Sequence, residues 1–389
     1  MQFWRKTLHR PIIKRTRAFE RLVIGLGLIL ILLVGCARGG RHESWPGLTL
    51  VDGIIYAANL ENIEALDAES GALYWSFPGD TEEDGLGPFY TPPTYVEDYG
   101  ANGLLIAAGF SDQTVYALSL GERPEDSPRE LWRFSDANGQ YVGDGVVADG
   151  KYIIGNGDGS VYALSLETGD KIWEFATGDR VWATPVVSDD EVYIASLDHH
   201  LYAVDLETGD ERWNIEFEGA LSATPVLAGN RLWIGDFTST LREIDLSTGE
   251  VAWEYEALDW LWATPLLNGS TLYFSDVSGH VYALDIETRE MIWDEPASID
   301  DIVHGRPALN ADDTMLFVPG FEKGQIHALD VSTGSEVTWG TTLESPGRLP
   351  GNLITDEARL YAMPILIDAR VRAFDVGNGS LVWQYPVAK

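Results

Sequence analysis

Short apolar segments recur along most of the chain, and polar or glycine residues separate each segment from the next. One unit shows the pattern well, with segments at 185–187, 192–195, 201–205 and 211–215 separated by turn-forming sequences that contain DD, DHH and TG. No segment has the 3.6-residue period of a helix, and turn residues at such short intervals are typical of strands. The pattern therefore predicts four short antiparallel strands, which we label A to D in chain order.

This four-strand unit is repeated along the chain. Its second half reads VYALSLETGDKIW at 161–173 and LYAVDLETGDERW at 201–213, and related phrases ending in tryptophan occur eight times. A period near 40 residues with four strands in each unit predicts an all-β protein, an eight-bladed β-propeller of four-stranded antiparallel blades. The eight blade tryptophans are Trp75, Trp132, Trp173, Trp213, Trp253, Trp293, Trp339 and Trp383.

Each part of the repeated phrase has a predicted structural role. Its small alanine allows adjacent blades to approach closely, and the glycine of Thr-Gly takes a positive φ in the C–D turn. The tryptophan on outermost strand D is expected to fill the wedge between blades and to donate its indole N–H to a backbone carbonyl. Pro185, Pro225 and Pro265 are expected to begin strand A at the innermost edge, where a missing N–H costs no ladder bond. Trp233 takes the strand-B place of Tyr193 and is assigned to the core.

The N-terminus has a different pattern. Residues 1–21 carry seven basic side chains against one acidic side chain, and the apolar run LVIGLGLILILLV follows at 22–34. As a helix this run would cover roughly 20 Å, which is short of the ~30 Å of a bilayer core but suits a signal peptide. A secretory signal over residues 1–35 is therefore favoured over a permanent membrane helix.

The apolar run ends in Leu33, Val34, Gly35 and Cys36, which resemble the bacterial lipobox. The resemblance implies cleavage before Cys36, acylation of its thiol, a short tether over 36–44 and a propeller over 45–389. The alternative is a buried core cysteine, which fits less well directly after an apolar run. Cys36 is the only cysteine in the chain, so lipidation would leave no thiol for a disulfide. Acyl chains at ~0.8 kcal/mol per buried CH₂ would anchor the protein to a membrane.

Charge limits the partners of the exported part. Removal of residues 1–35 would leave 19 basic against 60 acidic side chains, a net charge of −41. Phosphate groups would be repelled, which argues against nucleic acid and anionic lipid surfaces as partners. The acidic residues are spread along the chain rather than grouped, as is typical of a soluble surface.

The pattern A-x-D-x-x-T-G-x-x-x-W resembles the tryptophan-docking repeat of PQQ-like β-propellers, and the likeness extends over residues 45–386. That superfamily includes quinoprotein dehydrogenases and the non-catalytic BamB-like lipoproteins, which assist β-barrel assembly in outer membranes. The dehydrogenases hold pyrroloquinoline quinone (PQQ) and Ca²⁺ against a tryptophan and a disulfide of adjacent cysteines. A chain with one cysteine lacks that disulfide.

The resemblance therefore implies a monomeric, BamB-like scaffold that mediates protein–protein interactions in the bacterial cell envelope. Neither PQQ nor Ca²⁺ nor another cofactor is expected, and no catalytic or metal-ligating residue is assigned. The protein would be anchored through Cys36 on the extracytoplasmic side of a membrane, the outer membrane if the host has one, and its partner is unknown. A PQQ- or metal-dependent oxidoreductase and a ligand-binding envelope sensor remain as alternatives.

Strand direction predicts where a partner would bind. If strands A to D alternate in direction, the D–A connections and B–C turns lie on one face, around the mouth of the central channel. Aromatic and arginine residues on long connections are typical of an interface centre. The alternative is that these side chains plug the channel and pack its rim. The candidate residues are Arg180, Trp182, Trp260, Trp262, His304 and Arg306.

Overall fold

The computed structural model describes residues 47–59, 62–79, 88–100, 102–339, 348–365 and 370–386. The predicted signal peptide, the lipobox with Cys36, and the tether lie outside these ranges. The described residues form eight antiparallel sheets and contain no helix. This confirms the prediction of an all-β, eight-bladed β-propeller. In the same part of the chain no helix is long and apolar enough to cross a membrane.

The first four blades contain sixteen strands, four in each blade. Their bounds are β1 Gly47–Val51, β2 Ile54–Asn59, β3 Asn62–Asp67 and β4 Leu73–Phe77; β5 Thr94–Val96, β6 Leu104–Ala108, β7 Val115–Ser119 and β8 Arg129–Phe134; β9 Gly145–Ala148, β10 Lys151–Gly155, β11 Ser160–Ser165 and β12 Lys171–Ala176; β13 Val186–Ser188, β14 Glu191–Ala195, β15 His200–Asp205 and β16 Glu211–Glu216.

The last four blades follow the same plan, with one additional strand in blade 6. Their bounds are β17 Val226–Ala228, β18 Arg231–Gly235, β19 Thr240–Asp245 and β20 Glu250–Glu256; β21 Leu266–Asn268, β22 Thr271–Ser275, β23 His280–Asp285, β24 Glu290–Met291 and β25 Ala297–Ser298; β26 Ala308–Leu309, β27 Met315–Pro319, β28 Ile326–Asp330 and β29 Glu336–Val337; β30 Ile354–Thr355, β31 Arg359–Ala362, β32 Val371–Asp375 and β33 Leu381–Tyr385.

Strands pair in chain order within each blade, and strand A is innermost. In blade 4, Tyr193 pairs with Val186 on one side and with Ala203 on the other, and Ala203 pairs with Trp213. Strand A contacts the next strand A from blade 1 through blade 5, and again from blade 7 through blade 8 to blade 1. The strand begins one residue after Pro185, because proline has no N–H to place in the ladder.

Five of the blade tryptophans dock on the next blade through the indole N–H. Nε1 of Trp173 donates a hydrogen bond of 3.0 Å to the carbonyl oxygen of Leu206 in blade 4. Gly209 of the same turn has φ +73°, and a Cβ there would come within 2.8 Å of the indole, so both the backbone angle and the space require glycine. The same indole bond is made by Trp132, Trp293, Trp339 and Trp383.

The ring closes by this side-chain docking and not by strand exchange. Blades 1 and 8 each consist of four consecutive strands. Nε1 of Trp383 and the hydroxyl of Tyr361 in blade 8 both donate to the carbonyl oxygen of Ala68 in blade 1, at 3.1 and 3.2 Å. The contact between the last and first blades is therefore equivalent to the contacts between blades that are consecutive in the chain.

Blade 6 departs from the predicted four strands. Its outer strand is split into β24 and β25, which pair separately with β23. Pro296 stands directly before β25 and has no N–H for the ladder, so the outer strand is interrupted there. Trp293 lies in the gap and remains buried.

Blade 6 also lacks the glycine on which a blade tryptophan docks. Arg289 stands at the Gly209 position and keeps the positive φ of 63°. Its guanidinium donates two hydrogen bonds to Glu243, one from Nε to Oε2 at 2.8 Å and one from Nη2 to Oε1 at 3.0 Å. Glu243 is buried in blade 5 at the place that Ala203 has in blade 4. The two departures from the repeat therefore compensate each other across the interface between blades 5 and 6.

Candidate functional site

The channel is lined by residues that occupy the same register position in every blade. In each blade one strand-A residue pairs with the central residue of strand B, as Val186 pairs with Tyr193 in blade 4. The channel-lining position lies two residues before it, which is Thr184 in that blade. In the middle of the chain this residue is a threonine of an Ala-Thr-Pro triplet, and elsewhere it varies. We call this set the inner ring; it consists of Gly47, Pro92, Asp144, Thr184, Thr224, Thr264, Arg306 and Asn352.

Hydrogen bonds between neighbouring blades hold the inner ring. The backbone N–H of Asp144 donates to Oγ1 of Thr184 at 3.1 Å, and the N–H of Thr184 donates to Oγ1 of Thr224 at 3.1 Å. On the other side of the ring the N–H of Arg306 donates to Oδ1 of Asn352 at 2.8 Å. A short polar side chain at this position therefore has a structural use in receiving the bond from the previous blade.

A second set lies two residues earlier in the chain, nearer the mouth. Between the two sets the chain alternates, so that Val181 and Ala183 are buried in the blade while Trp182 and Thr184 face the channel. We call the second set the mouth ring. It is rich in aromatic residues, and its members within the described ranges are Tyr90, Val142, Trp182, Ser222, Trp262, His304 and Pro350.

The two rings enclose a cavity of about 140 Å³. All seven residues of the mouth ring line it, and so do all residues of the inner ring except Arg306, which is exposed. Asp144 is the sole carboxylate among the described lining residues. The cavity thus has aromatic walls, a floor of hydroxyl groups and one acidic side chain.

The single charges of the inner ring lie on opposite blades. Asp144 belongs to blade 3 and Arg306 to blade 7, four blades apart in a ring of eight. Burial raises the pKa of Asp144 to about 7, and the guanidinium of Arg306 opposes that rise. Partial desolvation lowers the pKa of Arg306, and Asp144 opposes that shift in turn. The two groups are near enough to influence each other, but no ion pair joins them in the described part of the chain.

His304 is the titratable member of the mouth ring. Its side chain is 6% exposed, and its ring lies 5.3 Å from that of Trp262 and 4.6 Å from that of Phe321. Burial lowers the pKa of His304 to about 4. The imidazole is therefore neutral at pH 7.

An aromatic surface continues outward from the mouth ring over blades 4 to 6. Phe237, in a B–C turn, stacks on Trp262 at 5.3 Å and on Trp260 at 5.6 Å between ring centroids. Trp182 lies 6.3 Å from Trp262. All four side chains are half-buried. We call this set the tryptophan patch: Trp182, Phe237, Trp260 and Trp262.

Exposed groups border the tryptophan patch. The guanidinium of exposed Arg180 lies 5.9 Å from the indole centroid of Trp182, within range of a cation–π contact. Leu258, in the connection that carries Trp260, is 57% exposed. Hydrogen bonds from the N–H groups of Leu197 and Val277 to the carbonyls of Arg180 and Trp260 hold the connections against B–C turns. The face thus presents fixed aromatic side chains with an arginine and a leucine at the edge.

The residues predicted from sequence fall into two groups. Arg180, Trp182, Trp260, Trp262 and His304 form one continuous cluster, whereas Arg306 lies in the inner ring. Asp144 and the threonines of the inner ring were not predicted. An alignment of the eight repeats on the Ala-Thr-Pro triplet would have found them, because it shows one acidic and one basic residue at that position.

The described residues offer no group of three or more His, Cys, Asp or Glu side chains placed to hold a metal ion. His199 and His200 lie on a B–C turn, where Nδ1 of His200 lies 3.0 Å from the carbonyl oxygen of Asp198. In blade 3 the corresponding turn uses Asp158 to accept the hydroxyl of Tyr162 at 2.7 Å and the N–H of Ser160 at 2.9 Å. These acidic turn residues are therefore engaged in structural hydrogen bonds.

Eight radial four-stranded units with tryptophans that dock on the next blade define a PQQ-like β-propeller. The chain belongs to the family described as outer membrane protein assembly factor BamB, whose model matches residues 111–298, 202–348 and 279–389. The structure of BamB from Moraxella catarrhalis has a TM-score of 0.61 and 18% identity to this chain, covering 82% of this chain and 92% of that one.

Other similar proteins are of different kinds. The computationally designed Ika8 protein has a TM-score of 0.68 at 14% identity, covering 85% of this chain and 95% of that one. A europium-containing methanol dehydrogenase has a TM-score of 0.61 at 15% identity, covering 72% and 76%. The serine/threonine-protein kinase AfsK of Streptomyces griseus is 29% identical over 158 residues, 39% of this chain and 18% of the kinase. The chain thus spans less than a fifth of that curated relative, and the structural likenesses show the fold alone.

Proposed function

We propose that this protein is a non-catalytic scaffold of the bacterial cell envelope, anchored by lipid at Cys36, which docks a partner protein on the tryptophan patch. Membership of the BamB family supports the scaffold role and an envelope location. The observation that carries the docking site is the patch itself, where three half-buried indoles and Phe237 lie together on one face. Rigid aromatic side chains beside an arginine are enriched at the energetic centres of protein interfaces.

The composition of the patch indicates the chemistry of the partner surface. Stacking on Phe237 and hydrogen bonds at the connections hold the indoles in place, so little side-chain entropy is lost on binding. Leu258 adds an exposed apolar group at the edge. The partner surface would present apolar side chains to the indoles and a carboxylate or backbone carbonyl to Arg180.

The oxidoreductase alternative has weaker support. A quinone with Ca²⁺ requires several oxygen ligands around the metal, and the cavity lining offers one carboxylate among its described residues. The remaining side-chain oxygens of the lining are neutral hydroxyl and amide groups, so the donor set suits Ca²⁺ poorly. The likeness to a methanol dehydrogenase is one of fold at 15% identity.

Photocrosslinking in the native membrane tests the docking site. A crosslinkable residue at position 258 should capture one partner, and Trp260→Ala with Trp262→Ala should reduce the yield by about tenfold, as for loss of an interface hot spot. The matched control is Val251→Ala with Leu381→Ala, which removes exposed apolar side chains from outer strands. Equal capture by the tryptophan variant, or a loss confined to the outer-strand control, would show that the partner binds elsewhere.

The anchor has its own test. Cys36→Ser should abolish incorporation of a labelled fatty acid and release the protein from membranes, because no other cysteine is present. The tryptophan variant serves as control and should be labelled as strongly as the wild type. Undiminished labelling of Cys36→Ser would contradict the anchor without bearing on the docking site.

A further inference from the structure

The inner ring carries charge at two of its eight positions, and the fold does not require it. The other six positions are occupied by glycine, proline, threonine and asparagine. Threonine and asparagine already accept the bond from the previous blade. Asp144 and Arg306 donate through their backbone N–H groups, so neither charge is needed to close the ring. Asp144 lines the cavity and its carboxylate is desolvated there, at a cost that a ligand could offset.

The carboxylate of Asp144 has no hydrogen bond or ion pair in the described part of the chain; only its backbone N–H is bonded. Arg306 influences it from the opposite blade without forming an ion pair with it. A lone cation in the cavity would be attracted by Asp144 and repelled by Arg306. A lone anion would be attracted by Arg306 and repelled by Asp144. A molecule that carries both charges would be attracted at both ends.

The walls and the size of the cavity restrict the ligand further. Trp182, Trp262 and Tyr90 of the mouth ring present aromatic rings, which attract ammonium groups through their faces. The hydroxyls of Thr184 and Thr264 line the floor. A volume of about 140 Å³ is close to the ~150 Å³ of a cavity that holds benzene, so the bound part of the ligand has few non-hydrogen atoms.

We propose that the channel mouth binds one small zwitterion, with its ammonium group against Asp144 among the indoles and its carboxylate directed to Arg306. The ligand class is that of a betaine or a small free amino acid. The site shares Trp182 and Trp262 with the tryptophan patch, whereas Asp144 and Arg306 lie outside the patch. Variants of these two charged residues therefore test zwitterion binding separately from the docking of a partner protein.

Calorimetry with probes of equal shape tests the charge pattern. Glycine betaine carries both charges, choline the cation alone, and 3,3-dimethylbutanoate the anion alone. The purified full chain in detergent should bind glycine betaine at least about tenfold more tightly than either single-charge probe. L-Proline adds a second zwitterion. Absence of binding by both zwitterions up to roughly 10 mM, or equal affinity for all probes, would overturn the proposal.

Two variants should change the order of affinities for the three probes in opposite directions. Asp144→Asn should weaken the binding of glycine betaine by about tenfold and strengthen the binding of 3,3-dimethylbutanoate. Arg306→Gln should weaken the binding of glycine betaine and strengthen the binding of choline. A general loss of structure would weaken all probes together, so the crossed pattern distinguishes binding from folding. If Arg306→Gln does not fold, Arg306→Lys should fold and retain the wild-type order. The matched controls are Asp136→Asn and Arg129→Gln, both exposed and outside the rings.

Proton release supplies an independent readout. Asp144 faces Arg306 and Tyr152, and His304 across the cavity is neutral at pH 7. With a pKa of about 7 the carboxyl is half protonated at that pH. An ammonium group beside it should therefore displace about half a proton on binding, and affinity should rise between pH 6 and pH 8. Proton uptake, or an affinity independent of pH, would contradict contact with Asp144.

Discussion

The docking sites of the blade tryptophans and the two rings at the channel mouth are made from the same repeats. The repeats agree at most of the docking sites, which we call the rim, and differ in the two rings. At the rim, the indole of Trp173 packs on Gly209, and the same pair recurs as Trp132 on Gly169. In the inner ring the equivalent residues range from Gly47 to Arg306. Rim positions are determined by volume and by a positive φ, whereas ring positions face a channel and are constrained mainly by a backbone hydrogen bond. The comparison indicates that binding functions lie where packing leaves the side chain free.

The largest effect is expected at a docking site of the rim. Trp173→Ala removes a side chain that is 7% exposed, together with its bond to Leu206. Loss of a buried aromatic side chain costs about 3–5 kcal/mol of unfolding free energy, which guanidinium denaturation would measure. The adjacent Ile172 is 45% exposed, so Ile172→Ala should stay within about 0.5 kcal/mol of the wild type. Equal effects of the two substitutions would contradict the docking role.

A smaller loss is expected where the rim departs from its own pattern. Arg289→Ala leaves the buried carboxylate of Glu243 without its partner, and because Arg289 is partly exposed we expect a loss of about 2–3 kcal/mol. The double variant Glu243→Ala with Arg289→Gly recreates the alanine and glycine of other blades. It should recover most of the lost stability in a double-mutant cycle. Additive losses would show that the two residues do not compensate each other.

The ring should respond to pH where the rim does not. Asp144 has a pKa of about 7 in the folded chain, above its ordinary value near 4, so the folded state holds the proton that the unfolded state has released. Stability at this site is therefore complete below about pH 4 and is lost as pH rises to about 7. The full shift of about three pKa units corresponds to about 4 kcal/mol, and because Asp144 is only half-buried we expect about half of it. Asp144→Asn should therefore be more stable than the wild type at pH 8 by about 2 kcal/mol, and equal to it at pH 4.

Thermal unfolding at the two pH values checks this difference. His304 acts in the opposite direction, because its lowered pKa removes stability as pH falls from about 6.5 to about 4. It is present in both proteins and so cancels in the comparison. A wild type more stable than Asp144→Asn at pH 8 would reverse the assignment.

The smallest loss is expected in the tryptophan patch. Trp260 is half-buried and stacks on Phe237, so Trp260→Ala should cost about 1 kcal/mol or less, the worth of an exposed aromatic pair. Guanidinium denaturation beside Trp173→Ala would measure the contrast between patch and rim. A cost as large as that of Trp173→Ala would place the residue in the core and weaken its role in docking.

Most of the fold could be predicted from sequence, because the determinants repeat. Each Thr-Gly marks a C–D turn and each terminal tryptophan an outer strand, so errors at one blade are corrected by the next. The split outer strand of blade 6 was not predicted, since a single proline at 296 carries the signal. For the site, the aromatic residues were predicted by their position on long connections. The pairing of Arg289 with Glu243 was missed, because 46 residues separate them and each is an exception to the repeated phrase, in place of its glycine and its alanine.

The blade number, the order of strands and the place of tryptophan on the outer strand could be predicted from sequence, because they depend on local periodicity and on the spacing of the repeats. The set of residues that share the channel follows from the three-dimensional arrangement of the blades. Asp144 and Arg306 lie 162 residues apart in the chain, and they enter one ring because eight blades place equivalent register positions around a common axis. Their influence on each other depends on burial and distance, which no repeat pattern contains.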